Sequence, residues 1–292
     1  MQISPFALER YFAQHEFSAP YLLCSSDCES MSIEELLALE PDSTQQLHQL
    51  WLGYTESPGD PTLRATISEL YEQISADEVL VHAGAEEAIF NFMNALLGPD
   101  DHIIVQWPGY QSLAEVAQAI GCDVTLWHLT PNFTTDKNGW QLDLDFVGEH
   151  LRPNTRAIVI NSPHNPTGFL TGRSLLDALV QLAETNDLLI FSDEVYRESE
   201  YTEGQRLQAA CDLDESAVSL GVMSKTYGLA GLRIGWLATR NAKVVERVAA
   251  LKDYTTICNS APSEFLAELA LRHRERLTKR NVDIILENLA LL

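Results

Sequence analysis

Residues 156–201 read RAIVINSPHNPTGFLTGRSLLDALVQLAETNDLLIFSDEVYRESEY. The stretch opens with an apolar, β-branched run at Arg156–Asn161, continues with a helical pattern at Ser174–Thr185, and reaches a second apolar run at Leu188–Ser192. Each apolar run has about the length of a buried parallel strand, and Thr171 is a suitable N-cap for the helix. The stretch therefore predicts a strand–helix–strand unit with two parallel strands.

The same alternation extends along the chain on both sides of this unit. Further strands are predicted at Val79–Val81, His102–Gln106, Val124–Leu129 and Ala217–Val222, and further helices at Gly84–Leu97, Gln111–Ile120 and Leu142–His150. This order predicts an α/β fold, a three-layer α/β/α domain whose mostly parallel sheet is covered by helices on both faces. Ligands of such sheets bind beyond the carboxyl ends of the strands, so chemistry is expected in the loops that follow them.

The two ends of the chain depart from the alternation. Residues 1–45 carry two short helical patterns and a Ser/Asp/Cys-rich stretch, and we interpret them as a segment that contributes to a small domain. Residues 46–260 form the predicted large domain. From Pro262 to Leu292 an amphipathic helical pattern runs unbroken, which predicts a long helix over 261–292 leading into a small domain that is largely missing, as in a fragment or a truncated protein.

The charge balance excludes one class of partner. The chain has 292 residues, with 42 acidic and 19 basic side chains and a formal net charge of −23. A protein that follows the phosphates of a nucleic acid needs a basic surface, so nucleic-acid binding is not expected. No run approaches 18 consecutive apolar residues, so no membrane span is expected either, and the first residues do not resemble a secretory signal.

The cysteines favour a reducing, cytoplasmic location. They are Cys24, Cys28, Cys122, Cys211 and Cys258. An odd, scattered set does not suggest a disulfide framework. Cys24 and Cys28 form an isolated CxxxC, for which two ordinary thiols are a better interpretation than a zinc site, and no metal is predicted.

Three loops rich in polar side chains follow three of the predicted strands. They are NSPHNPTGFL at Asn161–Leu170, SDEVYRESEY at Ser192–Tyr201 and MSKTYGLAGLRIGW at Met223–Trp236. Taken singly, they could be a turn, a helix cap and a solvated lysine. Together they fall at the carboxyl ends of strands in one sheet, which favours a shared binding site.

These strings resemble the class I/II aminotransferases, which are fold type I enzymes that depend on pyridoxal 5′-phosphate. The shared motifs are NPTG, D-x-x-Y, and SK followed by GLRIG, and the similarity runs from about Tyr54 to the final helix. The resemblance implies transfer of an amino group from an amino acid to a 2-oxo acid. It also implies a homodimer, because Tyr54 matches a tyrosine that reaches the phosphate in the neighbouring subunit.

The resemblance assigns catalytic roles to Lys225, Asp193 and Tyr196. Lys225 matches the lysine that forms a Schiff base with the cofactor and later moves a proton, tasks that suit a flexible amine of tunable pKa. Asp193 matches the carboxylate that stabilises the protonated pyridine nitrogen. Asn165 and Tyr196 match the two hydrogen-bond donors to the 3′ oxygen of the ring.

The other residues that the resemblance implies contact the ring face or the phosphate. Tyr110 is expected to stack on the ring, with Trp107 as the alternative, and the phosphate contacts are expected from Gly84, Ala85, Glu86, Ser224, Arg233 and Tyr54. The strand-to-helix turn at 84–86 offers free backbone amides to an anion, and the planar guanidinium of Arg233 suits two phosphate oxygens. Val222 stands where the family often has a hydroxyl, so either Ser224 or another group compensates for it or phosphate binding is weaker.

Substrate and reaction branch remain open at this point. The family's arginine for the substrate α-carboxylate is not found in the 67 residues after Lys225. An aminotransferase is the first interpretation. Another reaction of the same cofactor, a β- or γ-elimination or a cyclising synthesis, is the second, and a cofactor-binding protein without turnover is the third. A nicotinamide dehydrogenase is disfavoured because no GxGxxG follows a strand.

Within the family, the sequence is similar to capreomycidine-synthase-type members. The similarity lies in an ERYF opening, a Ser-rich stretch before a helix, YQSL, and SK-x-YGLAGLRIGW. Those members act on arginine derivatives. Asp27 and Glu29, near the expected substrate entrance, would suit a cationic side chain.

Overall fold

A seven-stranded sheet organises the protein in a computed structural model that describes residues 2–132 and 139–291. The strands are β1 (Val79–His82), β2 (His102–Trp107), β3 (Asp123–His128), β4 (Thr130–Pro131), β5 (Trp140–Gln141), β6 (Thr155–Asn161), β7 (Leu189–Asp193), β8 (Ala217–Val222) and β9 (Gly235–Ala238). The α-helices are α1 (Ala7–His15), α2 (Ile33–Leu37), α3 (Ser43–Gln49), α4 (Pro61–Ser68), α5 (Ala85–Leu96), α6 (Ser112–Ile120), α7 (Leu144–His150), α8 (Arg173–Asn186), α9 (Ala210–Leu213), α10 (Ala242–Lys252), α11 (Ala261–Arg272) and α12 (Arg274–Leu289).

The sheet is mostly parallel, which confirms the predicted fold class. Its strand order is β1-β9-β8-β7-β6-β2-β3, and the neighbours from β8 to β3 pair in parallel. Strand β9, which the sequence analysis did not predict, runs antiparallel to both β8 and β1. The parallel register places Asn161 beside Asp193 at the carboxyl ends of β6 and β7.

Helices cover both faces of the sheet, as the sequence predicts. Along β2, Ile103 and Val105 face a core that includes α5, α6 and α10, whereas Ile104 faces a separate core with α7 and α8. A third group of buried side chains joins α4 and α11 to β1 and β9. Because alternate residues of a strand point to opposite faces, strands buried on both sides form continuous apolar runs.

The final helical segment is two helices rather than the predicted single long helix. Helix α11 ends at Arg272, His273 adopts φ −109° and ψ 20°, and α12 begins at Arg274. Both Arg272 and His273 contact the carboxylate of Glu40, which follows α2. We attribute the break to this tertiary contact, since the amphipathic pattern of the sequence continues through it.

Thr171 does not cap α8, which begins after Gly172 without a side-chain cap. The prediction of an N-cap at Thr171 was therefore wrong.

Among the described residues, no helix combines the length and the apolar character needed to cross a lipid bilayer.

Candidate functional site

A cavity of about 480 Å³ lies beyond the carboxyl ends of β6, β7 and β8. Of the residues that the sequence singled out, Lys225, Asp193, Tyr196, Asn165, Tyr110, Ala85, Glu86, Ser224 and Arg233 line it. Gly84 lies directly behind Arg233, whereas Tyr54 lies elsewhere. The volume falls within the range of roughly 300–1,000 Å³ that is usual for small-molecule sites.

Lys225 enters this cavity from the loop after β8. Its Nζ donates to Asp27 Oδ1 at 2.5 Å and to Ser26 Oγ at 3.2 Å, so residues of the N-terminal segment contact the amine directly. Burial opposes the charge on this amine, but the neighbouring Tyr196 and Asp27 outweigh that effect and raise the pKa of Lys225. The amine is therefore held as an ammonium in a site from which water is partly excluded.

Asp193 ends β7 at the floor of the same cavity. The residue is only 4% exposed, and its Oδ1 accepts a hydrogen bond from the Val195 backbone at 3.2 Å. Burial, reinforced by the nearby carboxylate of Glu194, raises the pKa of Asp193 to about 7. A cation brought to this carboxyl would be strongly favoured, because it would relieve the cost of a buried negative charge.

Asn165 is fixed by Asn161, a residue that sequence reasoning missed. Asn161 accepts a hydrogen bond from the Asn165 backbone at 2.8 Å and donates to the Asp193 carbonyl at 2.9 Å. The Asn165 side chain in turn donates to the Tyr196 hydroxyl at 3.3 Å. The Asn165–Pro166 peptide bond is cis. The role of Asn161 follows from the pairing of β6 with β7, which places it beside Asp193 and which the sequence alone does not give.

The turn before α5 and the side chain of Arg233 form a region suited to an anion. The first turn of α5 lines the cavity with Ala85 and Glu86, where backbone amides have no partner within the helix. Gly84 adopts φ +89°, a backbone conformation that favours glycine, and a Cβ there would lie 2.6 Å from Nη2 at the end of the Arg233 side chain. Arg233 forms no salt bridge within the described part of the chain, so its guanidinium is available to an anion.

Tyr110, rather than Trp107, lies at the cavity wall. The Tyr110 ring packs against Phe6 with ring centroids 5.0 Å apart, while Trp107 does not line the cavity. The segment that carries Phe6 is attached nearby through the Ala7 amide, which donates to Gln111 Oε1 at 3.0 Å. The site therefore offers an aromatic face for a planar ligand.

Helix α1 adds a wall that the sequence analysis did not assign to the site. The cavity is lined by Leu8, Glu9 and Phe12 of this helix and by the flanking residues Phe6 and Glu16. The spacing of Glu9, Phe12 and Glu16 places them on one face of a helix. No residue of α1 is fully buried, and its amphipathic pattern predicts a helix without identifying what the helix packs against.

Tyr54 belongs to an exposed apolar patch away from the cavity. We define the exposed patch as Trp51, Leu52, Tyr54, Tyr254 and Ile257, whose exposed fractions are 78%, 78%, 82%, 88% and 53%. Beneath it, the buried ammonium of Lys252 donates to the carbonyls of Ser57 and Ile257 at 2.8 and 3.1 Å. The two loops that form the patch are thus joined by hydrogen bonds to the same ammonium.

Known proteins are similar to this chain in sequence and in fold. The family model described as "Aminotransferase class I and II" matches residues 20–292. Capreomycidine synthase of Streptomyces vinaceus is 31% identical over 272 residues, which are 92% of this chain and 68% of that protein. Arginine–pyruvate transaminase of Pseudomonas aeruginosa is 32% identical over 191 residues, 63% of this chain and 47% of that protein.

A solved structure is similar over the whole of the chain. The crystal structure of a PLP-dependent aminotransferase from Streptococcus suis matches with a TM-score of 0.92 and 34% identity, covering 100% of this chain and 76% of that one. The chain spans between about half and two thirds of the length of the first curated relatives that it matches.

Proposed function

Because this chain belongs to the class I and II aminotransferase family, we propose that it is a pyridoxal-phosphate-dependent enzyme that moves an amino group from an amino acid to a 2-oxo acid. One observation carries the proposal: Lys225 and Asp193 reach the same cavity from adjacent strands, and Arg233 and the start of α5 line it as well. A primary amine, a buried carboxylate and an anion-binding region are the groups that this cofactor needs.

Pyridoxal phosphate, when bound, supplies an aldehyde that exchanges amines and a ring that withdraws electrons. Lys225 is the amine in this cavity that can attach to an aldehyde, and its flexible stem lets the same amine hold or return a proton. Asp193 is the buried carboxylate that would keep a ring nitrogen protonated. Both side chains line the same cavity, which supports their use by one cofactor.

The surrounding residues would bind and orient the cofactor. Asn165 and Tyr196, already hydrogen-bonded to each other, would face the 3′ oxygen of the ring, and Tyr110 would cover one face. The amides of Ala85 and Glu86, the Ser224 hydroxyl and the Arg233 guanidinium would hold the phosphate. Gly84 would serve by leaving space for Arg233.

A half-reaction tests the proposed function. The purified protein, saturated with pyridoxal phosphate, is mixed with an amino acid and no 2-oxo acid. We expect stoichiometric pyridoxamine phosphate and one equivalent of the matching oxo acid. Addition of a second oxo acid should then regenerate pyridoxal phosphate, since amino transfer proceeds in two separate halves. Release of ammonia or a cyclised product would identify a different reaction of this cofactor, and no change at all would indicate binding without turnover.

The donor class that the cavity favours is an amino acid with a cationic side chain. Glu9, Glu16 and Asp27 line the cavity, and Asp27 already binds an ammonium, that of Lys225. Phe12, which lines it on the same helix as Glu9, could pack against the methylenes of a long side chain. One of the relatives above is named for arginine, a donor of this kind.

Substitution of Asp27 tests this donor class. In Asp27→Asn, we expect the ratio of kcat/KM for arginine to kcat/KM for alanine to fall by about fivefold, because a partly exposed charge pair contributes on the order of 1 kcal/mol. The ratio is the measured quantity because Asp27 also contacts Lys225 and can change both rates equally. Glu34→Gln, an exposed substitution in α2, is the matched control. An unchanged ratio in Asp27→Asn would contradict the assignment.

We also propose a homodimer that acts in the cytoplasm. The exposed patch supports the dimer, because its two loops are joined by hydrogen bonds to Lys252 and carry large exposed apolar side chains, which are typical of protein interfaces. Tyr54 lies in that patch, which would let it reach the phosphate in a second copy of the chain. The scattered set of five free thiols supports a reducing compartment.

A further inference from the structure

Glu87 lies in the first turn of α5 but does not line the cavity. Its Oε2 accepts a hydrogen bond from the Ala83 amide at 2.6 Å. Ala83 begins the α5 turn, our name for residues 83–86, whose last two residues line the cavity. Oε1 of Glu87 accepts from Thr255 Oγ1 at 2.6 Å and from Thr256 Oγ1 at 2.7 Å. The two oxygens of one carboxylate therefore join the α5 turn to the loop between α10 and α11.

These contacts keep the carboxylate charged. Burial opposes the charge, but the hydrogen bonds from the Thr255 hydroxyl, the Ala83 amide and the Thr256 hydroxyl outweigh burial and lower the pKa of Glu87. A carboxylate repels an anion that binds near it. A favourable effect of Glu87 on phosphate binding must therefore come from the position of the α5 turn and not from the charge.

The loop that Glu87 contacts has a backbone conformation that its own residues do not favour. Ile257 adopts φ +64° although its side chain is largely exposed, and a β-branched residue rarely adopts this conformation. Such a conformation persists where surrounding contacts hold it. The Lys252 ammonium binds the Ile257 carbonyl at 3.1 Å, and Glu87 holds the two threonines that precede Ile257. The loop is thus a fixed point to which the α5 turn is attached.

We propose that Glu87 is a positioning residue that fixes the α5 turn for the phosphate of the cofactor by attaching it to the loop between α10 and α11. The proposal rests on the function proposed above, since the phosphate belongs to the same cofactor. Its physical basis is preorganisation, because a turn that is already held loses less conformational entropy when the anion binds. The loop also carries Tyr254 and Ile257 of the exposed patch, so the same carboxylate connects the cavity to that surface.

The sign of one substitution separates position from charge. Glu87→Ala removes both the hydrogen bonds of the α5 turn and a nearby negative charge. We expect the dissociation constant of pyridoxal phosphate to rise by about tenfold, because hydrogen bonds to a charged acceptor are the stronger ones. Unchanged or tighter binding would overturn the proposal. Glu246→Ala, which removes an exposed carboxylate from α10, is the matched control and should bind as wild type does.

Glu87→Gln tests whether hydrogen bonding is sufficient without the charge. The side-chain amide can accept from the Ala83 amide and donate to a threonine hydroxyl. We expect binding of pyridoxal phosphate that is tighter than wild type or within about twofold of it. A loss equal to that of Glu87→Ala would overturn the proposal.

Pyridoxal, which lacks the phosphate, is the matched ligand. We expect its dissociation constant to differ by less than about twofold between wild type and Glu87→Ala, because the α5 turn acts on the phosphate alone. A general loss of structure would weaken both ligands equally, and that result would overturn the proposal.

A double-mutant cycle tests the attachment to the loop. The Thr256 hydroxyl has Glu87 as its one hydrogen-bond partner in the described part of the chain. We expect Thr256→Val to weaken binding of pyridoxal phosphate by about threefold alone and to add nothing to Glu87→Ala, since the hydroxyl acts only through that carboxylate. Multiplication of the two factors, to about thirtyfold, would overturn the proposal. Thr256→Ser keeps the hydroxyl and should bind as wild type does, whereas a loss equal to that of Thr256→Val would also overturn it.

Hydrogen exchange at Ala83 tests the attachment without cofactor. The Ala83 amide donates to Glu87, so its protection reports on that bond. We expect faster exchange in Glu87→Ala and also in Thr256→Val, although Thr256 lies in a different loop. Unchanged exchange in Thr256→Val would mean that the loop does not hold the α5 turn, which would overturn the proposal. Wild type that fails to bind pyridoxal phosphate would instead refute the proposed function, so the two failures are distinguishable.

Discussion

Replacement of Lys225 by alanine is expected to lower amino-transfer activity by on the order of 10⁴-fold or more, because no other amine in the described residues lines the cavity. Treatment of the wild-type protein with pyridoxal phosphate and then borohydride should fix the cofactor covalently to the peptide that contains Lys225. In Lys225→Ala the visible, reducible absorbance should be absent. The activity is lost because alanine has no amine to attach to the aldehyde of the cofactor.

Two controls separate this chemistry from charge and folding. Lys225→Arg keeps a cation beside Asp27 and Ser26 but cannot attach to an aldehyde, so it should be as inactive as Lys225→Ala. Lys243→Ala removes an exposed lysine from α10 and should retain activity and labelling. Labelling of the Lys225→Ala protein at another lysine with undiminished activity would disprove the assignment.

The same variant can report on the proposed dimer. Lys225→Ala retains Tyr54, and Tyr54→Ala retains Lys225, so a mixed dimer would contain one site with both native residues. Random reassociation of equal amounts would give about a quarter of all sites intact, if Tyr54 acts across a two-fold interface. Activity near that fraction, from two parents that are each impaired, would support the dimer. Activity equal to the mean of the parents would argue against an exchanged Tyr54.

The sequence predicted the sheet well because its strands are buried on both faces. Runs such as Ala217–Val222 are buried throughout and mostly apolar, and each is bounded by a helix or a polar loop, so type and order follow from local pattern. The helical pattern of the last segment gave a wrong prediction at His273. Contacts with Glu40, from a distant segment, end a helix there that the pattern would continue. Strand β9 was missed because its four residues follow a glycine-rich loop and pair antiparallel.

The candidate site was predictable where residue type carries the chemistry and not where only three-dimensional contact does. Lys225, Asp193 and Arg233 are recognisable from motifs, and the structure brings them to one cavity; their roles stay predictions. Asn161 acts through its register beside Asp193, which needs the pairing of two strands to be known. Helix α1 has an amphipathic sequence, which predicts a helix but does not identify the surface that its apolar side faces.

Replacement of Asp193 by asparagine should reduce kcat by on the order of 10²–10³-fold while it weakens cofactor binding far less, because a charge partner matters most where charge develops during the reaction. Asparagine has nearly the same shape and can still accept the hydrogen bond from the Val195 backbone. What it lacks is the negative charge that would keep a ring nitrogen protonated. Equal losses in kcat and in cofactor affinity would mean that Asp193 only binds.

The same substitution should stabilise the cofactor-free protein at alkaline pH. Burial raises the pKa of Asp193 from 3.8 to about 7, so the folded state holds a proton that the unfolded chain releases between those values. Folding stability from this group is therefore complete below about pH 4 and is lost as pH rises through about 7. A pKa shift of this size lowers the free energy of unfolding at high pH by at most about 4 kcal/mol. Asp193→Asn should avoid that loss of stability.

Chemical denaturation across pH provides the measurement. The free energies of unfolding of wild type and Asp193→Asn should be similar near pH 4 and should diverge up to pH 8, with the variant more stable. Asp177→Asn, an exposed substitution in α8, should follow wild type throughout. Pyridoxal phosphate should narrow the difference at pH 8, since a cation beside Asp193 compensates its buried charge. A variant that is less stable than wild type at pH 8 would mean that the carboxylate already has a favourable partner within the protein, and Asp193 would then not be the site of a ring cation.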